Sequence, residues 1–278
     1  SNNSDTNNIN YMNSRPLDVH TWSDYSEVND FVDDIYLLLK SIKGHKKGNK
    51  RLLKVLLLDL YVAWCADPDL KIMFSRDNNA YKAKSRYNEL HISKKIRDIA
   101  DVMVAEGIVY EKQGFNDRVS GVAFQSRLWA TDWLIEKFKA ARFSQFHIHS
   151  HEAREPVVLR DKAKKDIENY KDTPFVISAR SLLNDYNQLL ANTHIDIYDL
   201  EKPVLEIGEG KKKMRLQINQ QDKFVRRIFN NSRWDQGGRF YGGWWQRCPK
   251  DYRKKIQFDG IMTAEIDFSG LHIVILYA

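Results

Sequence analysis

"SKKIRDIADVMVAEGIVYEKQGFNDRVSGVAFQSRLWATDWLIEKFKAARF", residues 93–143, changes its hydrophobic period twice. Ser93 is a good N-cap residue. Ile96, Ile99, Ala100, Met103 and Val104 follow at helical spacing and share one face. Gly107 stands where a helix ends on a left-handed residue. The period then shortens: residues 108–113 read as a strand, 114–118 as a turn and 119–129 as a second strand. Thr131 is placed to cap a last helix, "DWLIEKFKAARF". The polar face of the first helix carries Lys94, Lys95, Arg97 and Asp98.

Working upstream, "RLLKVLLLDLYVAWCAD" (51–67) is apolar almost all round, which marks a buried helix. Residues 67–92 are polar and read as turns with a short helix. Helix, helix, basic helix, hairpin, helix over 51–143 resembles the winged helix-turn-helix domains of replication initiators and transcription factors. The resemblance implies a recognition helix from Ser93 that sets Lys94, Lys95 and Arg97 in the major groove of duplex DNA. It makes Gly114 to Arg118 the wing tip, with Arg118 at the nucleic acid. Winged helices that contact only proteins are the alternative.

The remaining chain is read more coarsely. With 278 residues it has room for two domains or one large one. Net charge is +7, yet residues 1–39 hold seven acids against one arginine, so the body is markedly basic. A basic body with many aromatics fits a nucleic-acid partner; solubility alone is the bland alternative. Two distant cysteines give neither a disulfide framework nor zinc spacing, so a reducing, cytoplasmic setting is expected. No apolar run is long enough to cross a bilayer, and no signal peptide is visible, although the chain starts at Ser1.

Residues 1–50 read as a flexible acidic N-terminus, an acidic amphipathic helix from Ser26, and a basic loop whose first part is loosened by Gly44 and Gly48. That loop is a phosphate contact or simply solvated. Residues 144–200 read as a linker and a helical segment, with an amphipathic helix over 177–197. His147, His149 and His151 alternate and would share one strand face; an exposed linker strand is preferred to a metal site. "KPVLEIGEGKKKMRLQIN" (202–219) reads as strand, lysine-bearing turn and strand.

Residues 224–260 interleave arginines and aromatics: Arg226, Arg227, Arg233, Arg239, Arg247, Arg253, Lys254 and Lys255 among Phe224, Phe229, Trp234, Phe240, Tyr241, Trp244, Trp245 and Tyr252. Cations neutralise phosphates and aromatic faces stack on bases. The competing reading is an aromatic core. Next, "TAEIDF" (263–268) alternates as a strand, and Ser269 can cap a following helix. A carboxylate such as Asp267 at a strand end suits Mg²⁺ in phosphoryl chemistry.

"DFSGL", preceded by "GGRF" and "QRCPKDYRKKIQF", resembles motif A of family A DNA polymerases with its upstream Gly-Arg, Gln-x-x-Pro and Arg-strand elements, over residues 237–278. The resemblance implies Asp267 as catalytic Mg²⁺ ligand, with the Phe268 carbonyl beside it. It places Arg239 and Arg253 on primer–template or triphosphate, with Arg247 and Lys254 as further nucleic-acid contacts. Gly270 and His272 fall at the nucleotide site. His272 replaces the Glu of that family and Val274 its frequent Arg, which leaves sugar preference open. Two-metal chemistry needs a second carboxylate, and Glu265 is a weak substitute. The expectation is therefore a fragment, or a palm completed by a second chain.

The sequence thus predicts an α+β protein: a winged-helix domain (51–143), a linker and helix (144–200), and the first part of a family-A-like palm (201–278). The expected activity is template-directed nucleotidyl transfer on DNA in a mobile element's replication or repair. The alternatives are a non-enzymatic winged-helix initiator or regulator, and a protein-interaction module with a degenerate palm.

Overall fold

The computed structural model describes residues 10–117, 119, 121–210, 213–264 and 266. Its N-terminal elements are β1 (Ser14–Pro16), β2 (Thr21–Trp22), α1 (Ser26–Tyr36), α2 (Lys46–Ala66), β3 (Lys71–Phe74) and α3 (Ile96–Ala105). Then come β4 (Val109–Lys112), β5 (Phe115–Asp117), β6 (Val122–Phe124), β7 (Ser126–Ala130), α4 (Asp132–Lys139) and β8 (His149–Ser150). The remainder comprises β9 (Val157–Leu159), α5 (Pro174–Asn192), β10 (Ile195–Ile197), β11 (Val204–Ile207), β12 (Met214–Gln217), β13 (Val225–Phe229), β14 (Gly237–Gly242), α6 (Lys250–Arg253), β15 (Ile256–Phe258) and β16 (Ile261–Met262). Helices and several small sheets alternate, so the fold class is α+β.

The α2 helix is the axis of the first core. Leu52, Leu53, Val55, Leu56, Leu57 and Leu58 are all buried, because neighbours cover every side of the helix. Val28, Val32 and Ile35 of α1, Ile96, Ile99 and Met103 of α3, and Ile72 and Phe74 of β3 join the same cluster. Each buried leucine contributes about 2 kcal/mol. The helix begins at Lys46 with the His45 ring accepting from the Gly48 amide at 3.3 Å, so Gly48 is helical rather than part of a loop.

The α3 helix begins at Ile96, one turn after Ser93, whose carbonyl accepts from the Ile96 amide. Gly107 (φ +70°) ends it: Ile108 N–H donates to Met103 O at 2.8 Å and Gly107 N–H to Val104 O at 3.1 Å, a Schellman closure. Val104 lies at the margin of the apolar face and is exposed. The β4 and β7 strands pair antiparallel, and the four-stranded sheet runs β1-β3-β7-β4, with β1 parallel on β3. Beyond them β5 pairs with β6, so residues 115–117 are strand where a turn was expected. Thr131 caps α4 as expected, accepting from Leu134 N–H at 3.4 Å.

Between β3 and α3 there is no second helix. Residues 75–95 are turns, stapled by Asn88, whose amide donates to Lys82 O and Ile92 O and accepts from Ile92 N–H. Local side-chain bonds of this kind compete with helix formation.

In the second half, α5 covers one face of the β14-β13-β9 sheet, packing Val176, Ala179 and Leu183 against Val157, Leu159 and Phe229. It ends at Asn192. Residues 195–197 are strand β10, paired with β15, where a continuous helix was expected. β11 and β12 form the expected antiparallel pair. The last described strand is Ile261–Met262; Thr263, Ala264 and Ile266 are not strand, and Glu265, Asp267 and Phe268 of the expected strand 263–268 lie outside the described residues. The Arg86 guanidinium stacks 3.5 Å above the Tyr170 ring and donates to Tyr170 O, which ties the two halves together. No helix among the described residues is long and apolar enough to cross a membrane.

Candidate functional site

Pleating decides which cations of the C-terminal run converge. In the β13–β14 pair, Arg226 lies opposite Tyr241 and Ile228 opposite Arg239, so Arg226, Arg239 and Tyr241 share one face. Arg227, Phe229 and Phe240 fall on the other, where Arg227 donates to Gly238 O at 2.9 Å. Gly242 (φ +122°) ends the strand, and the Gln246 side chain clips back onto it: Gln246 Oε1 accepts from Gly242 N–H and Nε2 donates to Phe240 O.

The Arg226 face looks towards a charged cluster that sequence reasoning missed. Arg15 makes a bidentate pair with Asp59, both contacts at 2.8 Å. Asp59 also accepts from Thr21 Oγ1 and from Asp18 N–H. Asp18 lies within electrostatic reach of Arg154, His20, Arg15, Arg226 and Asp222. Arg154 donates to Ser150 Oγ at 3.1 Å and rests 4.1 Å above the Phe224 ring. Asp222 pairs with Arg247, and its carbonyl accepts from Trp244 N–H.

The electrostatics follow from burial. Burial pushes the Asp59 carboxyl up, opposed by Arg15. Burial also acts against ionised Asp18, but Arg154 and His20 outweigh it and hold its carboxyl below the usual range. Burial raises Asp222 against the pull of Arg247. It lowers Arg154, which Asp18 favours and the like charge of Arg226 opposes, and Arg226, which Asp166 favours and the like charge of Arg160 opposes. The Arg226 side chain makes no hydrogen bond among the described residues, although its backbone is part of the β13–β14 pair, and its sheet neighbour Arg239 is exposed. Cations so held, crowded and under-paired, are what an anionic ligand relieves.

The other expected site residues are dispersed. Lys94 and Lys95 precede α3 rather than lying on its face; Lys95 pairs with Asp98 at 2.9 Å, and Arg97 of α3 donates to Lys94 O and Arg76 O. Arg76 in turn holds Asp101 and Glu111. Lys94 is exposed, four residues before the exposed Asp98. Arg253 donates to Cys248 O at 3.0 Å, and Lys254 is exposed after α6. Arg118, Asp267, Phe268, Gly270 and His272 lie outside the described residues. Among the described residues no group of three or more His, Cys, Asp or Glu is arranged to hold a metal.

Several aromatics of the run are core. Trp244 is fully buried, and Phe229 and Trp234 pack together at 5.2 Å between ring centroids. Phe240 and Tyr241 remain open, at 52% and 40% exposure. One signal for the missed cluster was legible: Asp59 is a lone acid inside "LLLDLYV", and a buried acid requires a partner. Nothing in the local sequence marked Arg15, Asp18 or Arg154.

No family model, no curated protein and no solved structure matches this chain.

A second feature adjoins the charged cluster. A cavity of about 460 Å³ opens between α5 and the segments 146–152 and 220–224. Phe224, which carries Arg154 above its ring, is part of its wall.

Proposed function

We propose that this protein binds nucleic acid through the cationic face of the β13–β14 pair and the arginines beside it. The observation that carries the reading is Arg226 and Arg239 on one sheet face with Tyr241, Arg226 lacking any hydrogen-bonded acid, next to Arg154. Guanidinium groups suit phosphate, and an open tyrosine suits a base or sugar. In the fuller form of this reading the chain belongs to a template-directed nucleotidyltransferase resembling family A DNA polymerases. Asp267 would hold Mg²⁺, primer–template would be the partner, and a second chain or further sequence would complete the palm. The ordered motifs of residues 237–278 support that extension. The winged-helix assignment of 51–143 is retained as part of the proposal on its strand order, β3-β7-β4.

The test is binding of fluorescent duplex and single-stranded DNA over a salt series. Loss of affinity on R226A and R239A, with a shallower salt dependence, is expected. Unchanged affinity and slope in the double variant would overturn this sheet face as the interface.

A second reading is favoured by α5. Phe175, Leu182, Tyr186 and Leu189 form an exposed apolar stripe along it. Such a stripe fits the protein-interaction module, which predicts no DNA binding at physiological salt.

A further inference from the structure

We propose that the cavity between α5 and residues 146–152 is a pocket for an unpaired nucleobase, resting on the nucleic-acid reading above. Its walls combine what a planar, hydrogen-bonding heterocycle needs. Phe146, 69% exposed, and Phe224 supply aromatic surface. His149 and His151 offer opposite polarities. His149 Nδ1 donates to Ser150 O at 2.9 Å, which leaves its Nε2 as an acceptor. His151 Nδ1 accepts from Ala153 N–H at 3.1 Å, which leaves its Nε2–H as a donor.

Carboxamides complete the set. Gln221 donates through Nε2 to Gln145 O at 2.6 Å, yet its Oε1 is buried without a donor. Gln221 thereby braces the wall, with its Oε1 beneath the cavity surface rather than open to it. The Gln188 side chain, exposed on α5, makes no hydrogen bond among the described residues. The volume of about 460 Å³ admits a base with its sugar. Position completes the argument: Arg154 sits on Phe224, a wall residue of the cavity, so the arginines and the cavity adjoin.

The pocket gives His149 and His151, though not His147, a role other than metal binding. It predicts preference for unpaired bases over a duplex, whose bases are stacked away. The same base chemistry has two sources, a nucleic-acid strand or a free nucleotide.

The experiment compares fluorescent single strands with an abasic strand of equal length, and with free nucleoside monophosphates as competitors. Probes are the wild-type chain, F146A and Q188A, both substitutions at exposed positions that leave the core intact, checked by circular dichroism. Wild type is expected to bind base-bearing strands about tenfold more tightly than the abasic strand, and each variant to lose part of that ratio. Competition by free monophosphate, lost in the variants, supports the same pocket with a free nucleotide as its source. Equal affinity for abasic and base-bearing strands, or an unchanged ratio in both variants, overturns the pocket while leaving phosphate binding intact. Absence of binding to every strand and duplex at low salt overturns the nucleic-acid reading, and the pocket with it.

Discussion

Arg154 lies over the ring of Phe224, with 4.1 Å between guanidinium carbon and ring centroid. The pair joins the two parts of the candidate site: a cationic cluster on one side and a polar cavity on the other. Arg154→Ala is expected to weaken DNA binding and to reduce the slope of log K against log salt by about one. Lys94, Lys95 and Arg97 replaced together should change affinity less, because Lys95 and Arg97 already have partners. A larger loss from the α3 triple variant would return the interface to that helix.

Asp59 is the buried anchor of the N-terminal strand. Asp59→Ala strands Arg15 against the core and removes acceptors from Thr21 and Asp18. The expected cost is about 3 kcal/mol. Urea unfolding monitored by tryptophan fluorescence measures it, and a loss below about 1 kcal/mol would show that the pair is not an anchor.

Asp18 should make the fold acid-sensitive. Against the effect of burial, Arg154 and His20 hold its carboxyl below the usual aspartate range. A depressed carboxylate stabilises above its unfolded value, and that contribution is lost as pH falls through the lower folded value. Asp18→Asn should therefore lower the melting temperature near neutral pH and flatten its fall below about pH 4. Parallel melting curves for the two proteins down to strongly acid pH would contradict this.

Two glycines predict different penalties. A Cβ at Gly242 would meet Phe224 O at 2.1 Å, and its φ of +122° suits only glycine. At Gly107 (φ +70°) a Cβ meets nothing within 4 Å. Gly107→Ala should cost about 1 kcal/mol from backbone strain alone. Gly242→Ala should cost clearly more, since backbone must move. Equal unfolding midpoints would disprove the close approach.

For the enzymatic extension, Asp267→Ala should abolish nucleotide transfer by the complete assembly and leave DNA affinity unchanged. A primer-extension assay with Mg²⁺ reads the first, and the salt-series titration the second. Extension retained by the variant would remove Asp267 as metal ligand.

The sequence alone determined what depends on near neighbours. The buried α2, the Gly107 stop, the Thr131 cap, the β4–β7 hairpin and the β11–β12 pair are set by hydrophobic period and capping chemistry within a few residues. It also marked the cationic run, though not which of its members are usable. Tertiary structure alone decided that, because burial and pairing act between residues far apart in the chain. It placed Trp244 in the core, engaged Arg97 with Arg76, and turned Arg226, Arg239 and Tyr241 to one face. It brought Arg15, Asp18 and Arg154 together from opposite ends of the first half. A charge's value as a ligand depends on what else lies within a few ångströms, and chain order does not encode that distance locally.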